Sequence, residues 1–267
     1  MYRIACIVLI CLCQLLSGCV SNPEALPQSS DGTTSASNQE QADASEQEPL
    51  ASIPEETNSE NVAQLPATND GTYLGLIKPY VGQQDADFVC VTDYIPTIEV
   101  ELKYATEDNI SGTVIYDFTS VYLRCGTVKK LEKVQQELLA QGLRLKIWDG
   151  FRPVAAQFAL WAAYPNATYV ANPNNGYSSH SRGNAVDVTL VNLDGTELEM
   201  PTGFDDFSSK SDRDYSDCSE DARKNALLLE NVMKEYGFKP YEAEWWHFTD
   251  VDSYPVEKSF TPTDIEQ

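Results

Sequence analysis

Only two histidines occur in 267 residues, His180 in "YSSHSRGNAVDVTL" and His247 in "EAEWWHFTD". Asp187 follows the first by seven positions, and Glu244 precedes the second by three. If the two imidazoles serve one site, any fold this chain adopts must carry residue 180 against residue 247. That demand narrows the architecture more than composition does.

The flanking residues say what kind of elements must meet. "NAVDVTLV" (184–191) alternates as a strand does, with Val186, Val188 and Leu190 on one face and Ala185, Asp187, Thr189 and Val191 on the other. A carboxylate in mid-strand is costly to bury unless it is paired or holds a metal, and the alternative is an open sheet face in water. In "EWWH", residues three apart on a straight strand face opposite sides, so a shared site requires Glu244 to lie in a turn or bulge. Two histidines and an aspartate form the three-ligand set of a catalytic zinc ion with a fourth position open to water. A nearby glutamate that is not a ligand is the proton acceptor such a water needs.

"KIWDGFRP" adds a cation. Arg152 stands between a strand end at Gly150 and a helix start at Pro153, where a side chain can enter a cleft and stabilise developing negative charge. Pairing with Asp149 at the surface is the competing reading.

Elsewhere, "TIEVELKYA" (97–105) and "LRLKIWDG" (143–150) read as strands, as does "WHFTDV" (246–251). Helical spacing runs through "TVKKLEKVQQELLAQG" (127–142), where Val128, Leu131, Val134 and Leu138 recur and Gly142 stops the helix. "PVAAQFALWAAY" (153–164) is a second helix. "SEDARKNALLLENVMKEYG" (219–237) is a third, with Ser219 as cap and Gly237 as terminator. This order predicts an α+β domain with helices packed on a mostly antiparallel sheet.

The domain occupies 73–267. Residues 1–18 form an apolar leader ending in Leu16-Ser17-Gly18-Cys19, which resembles a bacterial lipobox with Cys19 as the lipidated residue. The reading is therefore an exported protein anchored to, but not spanning, a membrane of the cell envelope. From 19 to 72 the chain holds ten acidic residues and no Lys or Arg, and is poor in aromatics. That composition predicts a disordered tether with an end-to-end reach on the order of 40 Å. Of the total charge of −23, Arg3 contributes +1 and the tether −10, which leaves −14 on 73–267. A domain so acidic lacks the footprint of a nucleic-acid binder. Three of seven cysteines fall in the leader; Cys90, Cys125 and Cys218 permit one disulfide at most, and no pairing is preferred.

"SSHSRGNAVDVTL" and "EWWH" resemble the S-x-H-x-x-G-x-A-x-D and E-x-W-H motifs of zinc D-alanyl-D-alanine peptidases. "LKYATEDNISG", "WDGFRP", "MPTGFDDF" and "NALLLENVMKEYGFKPYEAEWWHF" are similar to the dipeptidase branch, the vancomycin-resistance type. The resemblance spans about 90–255. It implies the compact α+β fold shared with the zinc domain of Hedgehog proteins, with one zinc ion on His180, Asp187 and His247. It further implies Glu244 as general base, Arg152 as the transition-state cation and Ser178 at the substrate carboxylate. Asp205 is implied at the substrate ammonium, with Asp206 as a rival. The implied activity is hydrolysis of D-Ala-D-Ala, linked to wall-peptide turnover. A D,D- or L,D-carboxypeptidase acting on peptidoglycan stems is the alternative enzyme, and a non-catalytic zinc module the alternative of another class. Two departures stand out: a shorter stretch before His180, and export where the resistance enzymes are cytosolic.

Overall fold

The computed structural model describes residues 78–266. The leader, the tether, Cys19 and residues 73–77 and 267 of the expected domain lie outside the described residues. Along the chain the elements are β1 (Phe88–Cys90), α1 (Val91–Tyr94), β2 (Glu99–Val100), β3 (Tyr122–Arg124), α2 (Cys125–Ala140), β4 (Leu143–Asp149) and α3 (Val154–Ala163). There follow β5 (Ala185–Asn192), α4 (Glu220–Glu235), β6 (Phe238–Tyr241), β7 (Glu244–Asp250) and α5 (Thr263–Glu266). Five strands form one sheet in the order β2-β4-β5-β7-β6, and β1 pairs with β3 apart from it. Only β2 runs parallel to its neighbour, so the expected α+β architecture with a mostly antiparallel sheet is what forms.

The helices follow their sequence signals. Val128, Leu131, Val134 and Leu138 of α2 are fully buried, and the chain leaves the helix through Gly142 in the left-handed region. Ser219 caps α4 by accepting from the backbone N–H of Ala222 at 3.0 Å. Val186, Val188 and Leu190 of β5 sit in the same core. Trp245 and Trp246 are almost wholly buried in it, each contributing on the order of 3–5 kcal/mol relative to alanine.

One expectation is corrected. The alternation of 97–105 continues as sequence, but the strand is only Glu99–Val100. After Glu101 donates its N–H to Ile147, the chain leaves the sheet for a 3₁₀ turn at Lys103–Ala105. Leu102 and Tyr104 are buried there, and the carbonyl of Tyr104 accepts from both Ile115 and Tyr116. Backbone pairing with the following loop replaces the ladder, which β2 as an edge strand can give up cheaply. Among the described residues, Cys90, Cys125 and Cys218 are free thiols.

Candidate active site

The ladder between β5 and β7 sets Asp187 opposite His247. His180 reaches the same point from a 3₁₀ turn, His180–Arg182, that immediately precedes β5. Gly183 closes this turn at φ 74, and a Cβ there would lie 2.4 Å from the Phe88 ring, so both backbone and space require glycine. The buried alternative for Asp187 is therefore the one realised: the residue is 3% exposed, and water does not reach it across an open face.

Three acceptor atoms converge. Asp187 Oδ1 lies 2.9 Å from His247 Nδ1 and 3.4 Å from His180 Nε2, and the two ring nitrogens are 3.1 Å apart. The far sides of the rings set the tautomers. His180 Nδ1 is 2.8 Å from the carbonyl of Gly150, which can only accept, so Nδ1 carries the proton and Nε2 presents a lone pair. Thr249 Oγ1 donates to Ser179 Oγ at 3.2 Å, leaving its oxygen to accept from Nε2–H of His247 at 3.1 Å. His247 Nδ1 then also presents a lone pair. Two imidazole lone pairs and a carboxylate within 4.8 Å of one another form a donor set that fits a metal ion, oriented from behind by hydrogen bonds. Burial alone would raise Asp187, but His180 and His247 hold its carboxyl below the usual range. Burial opposes charge on both imidazoles. In His180 the aspartates Asp187 and Asp149 outweigh it and the pKa rises; in His247 it prevails and the pKa falls.

Glu244 opens β7 with a carboxylate oxygen 3.8 Å from His247 Nδ1, although the two residues are three apart. The pairing of β6 with β7 shifts between Pro240 and Tyr241, and this irregularity lets both face one site, as the sequence required. Burial pushes the Glu244 carboxyl well above its ordinary value, and the neighbouring Asp187 and Asp205 charges push it further.

Arg152 does pair with Asp149, but in a buried position and not at the surface. It pairs with Asp149 through Nε at 3.0 Å and Nη2 at 2.7 Å, yet it is 6% exposed and lines the pocket, with Nη2 3.9 Å from Asp187. Gln157 accepts from Nη1 at 3.0 Å, and Asp149 is itself fixed by Tyr116 Oη at 2.7 Å. The cation is held rigidly from behind.

A pocket of about 420 Å³ joins these groups to Ser178 and Asp205. Ser178 Oγ accepts from the His180 N–H at 3.2 Å, which ties it to the ligand turn. Asp205 has φ 57 and is buried, with Oδ1 accepting from Tyr104 Oη at 3.1 Å and Oδ2 from the Ile110 N–H at 3.0 Å. Burial pushes its carboxyl up to about 7, against the lowering effect of the Ile110 N–H and Arg152. Asp206 points away: it is exposed and caps the N–H of Ser208 at 3.1 Å. Of the two, Asp205 is the one that lines the pocket.

Three supporting residues escaped the sequence reading: Thr249 and Ser179 behind His247, and Tyr104 beneath Asp205. Thr249 shares a face with His247 by the period of two, which was a usable signal. Tyr104 and Asp205 lie 101 positions apart, and nothing local links them.

The sequence is similar to those of known proteins. The sequence pattern of the Peptidase M15 family, D-ala-D-ala dipeptidase, matches residues 84–264. The D-alanyl-D-alanine dipeptidase of Escherichia coli K12 is 39% identical over 163 residues, which covers 60% of this chain and 84% of that protein. The enzyme of the same name from Enterococcus faecium is 32% identical over 189 residues, covering 63% of this chain and 94% of that one. A match over more than half the chain, together with relatives covered almost end to end, places this metallopeptidase in the D-Ala-D-Ala dipeptidase family.

Proposed function

We propose that this chain is a zinc-dependent dipeptidase that hydrolyses D-alanyl-D-alanine. The observation that carries the reading is one pocket with a three-ligand donor set at its floor, Glu244 beside it and a buried carboxylate, Asp205, on its wall. His180, Asp187 and His247 would hold the zinc ion. When bound, zinc supplies Lewis acidity toward the scissile carbonyl and toward water.

The chain's own residues supply the rest. Asp205 meets the substrate's free ammonium, which compensates the cost of charging a carboxylate in so dry a place. Ser178, two residues before the first ligand, holds the substrate carboxylate. Glu244, with a pKa raised by burial, takes a proton from the attacking water and delivers it to the leaving amine. Arg152, locked by Asp149 and Gln157, lends positive charge to the oxyanion without having to reorganise.

Asp205 also favours a dipeptidase over a stem-trimming carboxypeptidase. A longer stem peptide would bring an uncharged amide to that carboxylate, where a dipeptide brings an ammonium. Turnover of free D-Ala-D-Ala compared with a pentapeptide stem tests this. Preference for the stem would move the assignment to a D,D- or L,D-carboxypeptidase, and zinc binding with no turnover of either would leave a non-catalytic module. The leader and tether extend the reading: a lipid on Cys19 would hold the enzyme in the cell envelope, where it would act on wall-derived peptides. Cys19→Ala should then move the protein from the membrane fraction to the soluble one. Unchanged fractionation would remove the anchor from the account.

A further inference from the structure

From Pro240 to Tyr241, β6 advances by one residue while its partner positions on β7 run from Phe248 back to Glu244. Trp245, Trp246 and His247 therefore form an insertion on β7 with no register partner on β6. The other edge is unpaired along Trp245 and Trp246, because β5 pairs with β7 only from His247 onward. Backbone carbonyls in a buried insertion must find donors or destabilise it.

One side chain meets that need. Arg213 donates from Nε to the carbonyl of Tyr241 at 2.8 Å, and from Nη2 to those of Trp245 at 2.9 Å and His247 at 3.0 Å. Its Nη1 donates to Tyr215 Oη at 3.2 Å and Glu230 Oε2 at 3.0 Å, so all five guanidinium N–H groups are used. The side chain is 4% exposed and lies over the Phe248 ring, 4.5 Å from its centre. The guanidinium thus occupies the place of the missing strand partner. It bridges β6 to β7 and, through Glu230, fastens both to α4.

We propose that Arg213 is a positioning residue for the reaction, holding the β7 insertion that brings Glu244 and His247 to one side of the strand. This rests on the zinc dipeptidase reading for the roles of those two residues. A planar fork is what the three carbonyls require; a lysine ammonium, a single point donor, cannot span them while also pairing with Glu230. Arg213 is not among the residues lining the pocket. It acts through the backbone of the strand that carries both, and its charge also has a lowering influence on the Glu244 carboxyl, which burial raises.

The test uses the full chain with Arg213→Lys and Arg213→Ala, each compared with wild type in zinc affinity by chelator competition and in kcat and KM for D-Ala-D-Ala. Arg223→Ala, which removes an exposed ion pair with Glu220, is the control and should match wild type. In both Arg213 variants zinc affinity should fall on the order of ten- to hundredfold. Their kcat should fall on the order of 10²-fold, as expected when a general base is displaced, with KM changed far less. Millimolar guanidinium should restore much of kcat to Arg213→Ala. If Arg213→Ala does not fold, Arg213→Lys, which keeps a cation for Glu230, carries the same expectations. A folded Arg213→Lys or Arg213→Ala with wild-type zinc affinity and kcat would overturn the proposal. So would a loss that tracks only the folded fraction and ignores guanidinium. If wild type binds zinc but fails to turn over D-Ala-D-Ala, the functional reading fails, and the affinity comparison still decides the role of Arg213.

Discussion

Two parts of the pocket are built by different means. Its floor rests on β5 and β7, where a hydrogen-bonded ladder fixes Asp187 against His247. Its wall includes the loop from Met200 to Ser219, which presents Asp205 from a left-handed backbone position braced by Tyr104 and the Ile110 N–H. Both regions bury a carboxylate. Asp187, facing two imidazoles, is held below the ordinary range, whereas Asp205, facing neutral donors, is pushed up to about 7. On the proposed reading, metal ligands need fixed positions, which a ladder provides. A subsite for a charged substrate needs a carboxyl that can give up its proton as the ammonium arrives, which a buried loop residue can offer.

The largest effect should come from the floor. His180→Ala removes one of the three proposed ligands, and no other histidine besides His247 exists to replace it. Zinc content should fall to background and activity with it. Stoichiometric zinc by elemental analysis in this variant would take His180 out of the ligand set and break the contrast between floor and wall.

Next in size is Glu244→Gln. The amide keeps the shape at the start of β7 but cannot accept a proton. Turnover should drop by about 10²–10⁴, equivalent to roughly 3–5 kcal/mol of barrier, with zinc still bound. Zinc content, melting temperature and hydrolysis measured on one preparation separate this from a structural role, which predicts lower stability with activity retained in the folded fraction.

The wall should respond more gently. Asp205→Asn removes the charge proposed to meet the substrate ammonium but keeps a residue that tolerates positive φ. Catalytic efficiency should fall mainly through KM, and zinc affinity should stay near wild type. A fall in kcat alone, with KM unchanged, would mean that Asp205 serves the reacting centre and not recognition.

The difference between the two regions also explains what could be read from the chain. Asp187 stood out because it interrupts an apolar strand-like run, where a carboxylate requires a partner. His180, in a Ser/Gly/Asn-rich turn, and His247 stood out because they are the two histidines of the chain and each lies near an acid. Glu244 was legible as a residue that must escape strand geometry, but not the means, since Arg213 lies 34 positions before His247 in a polar loop. Asp205 could not be separated from Asp206 by spacing; only burial and the contacts with Tyr104 and Ile110 separate them. The 97–105 segment was overread for a similar reason. Its alternation is real, but Leu102 and Tyr104 are buried off the sheet, and local patterning does not say against which layer a residue packs.

The smallest effect sharpens the contrast most directly, because it concerns Asp205 in the free, chelated protein. Its carboxyl titrates near 3.8 when unfolded and at about 7 when folded, chiefly because it is buried. Below pH 4 both states hold the proton and the group costs nothing. Between about pH 4 and 7 the unfolded chain releases its proton while the folded chain keeps it, so stability falls as pH rises; above about 7 the loss is complete. Three pH units at about 1.4 kcal/mol each set an upper bound on the order of 4 kcal/mol. Asp205→Asn has no proton to release, so the gap between variant and wild type should open across that window. The variant should gain on wild type from pH 4 to 7, and denaturant unfolding at several pH values reads this directly. A pH-independent difference would show that Asp205 is already ionised in the free enzyme. The wall would then be a pre-charged site like the floor, and substrate binding would involve no change in its protonation.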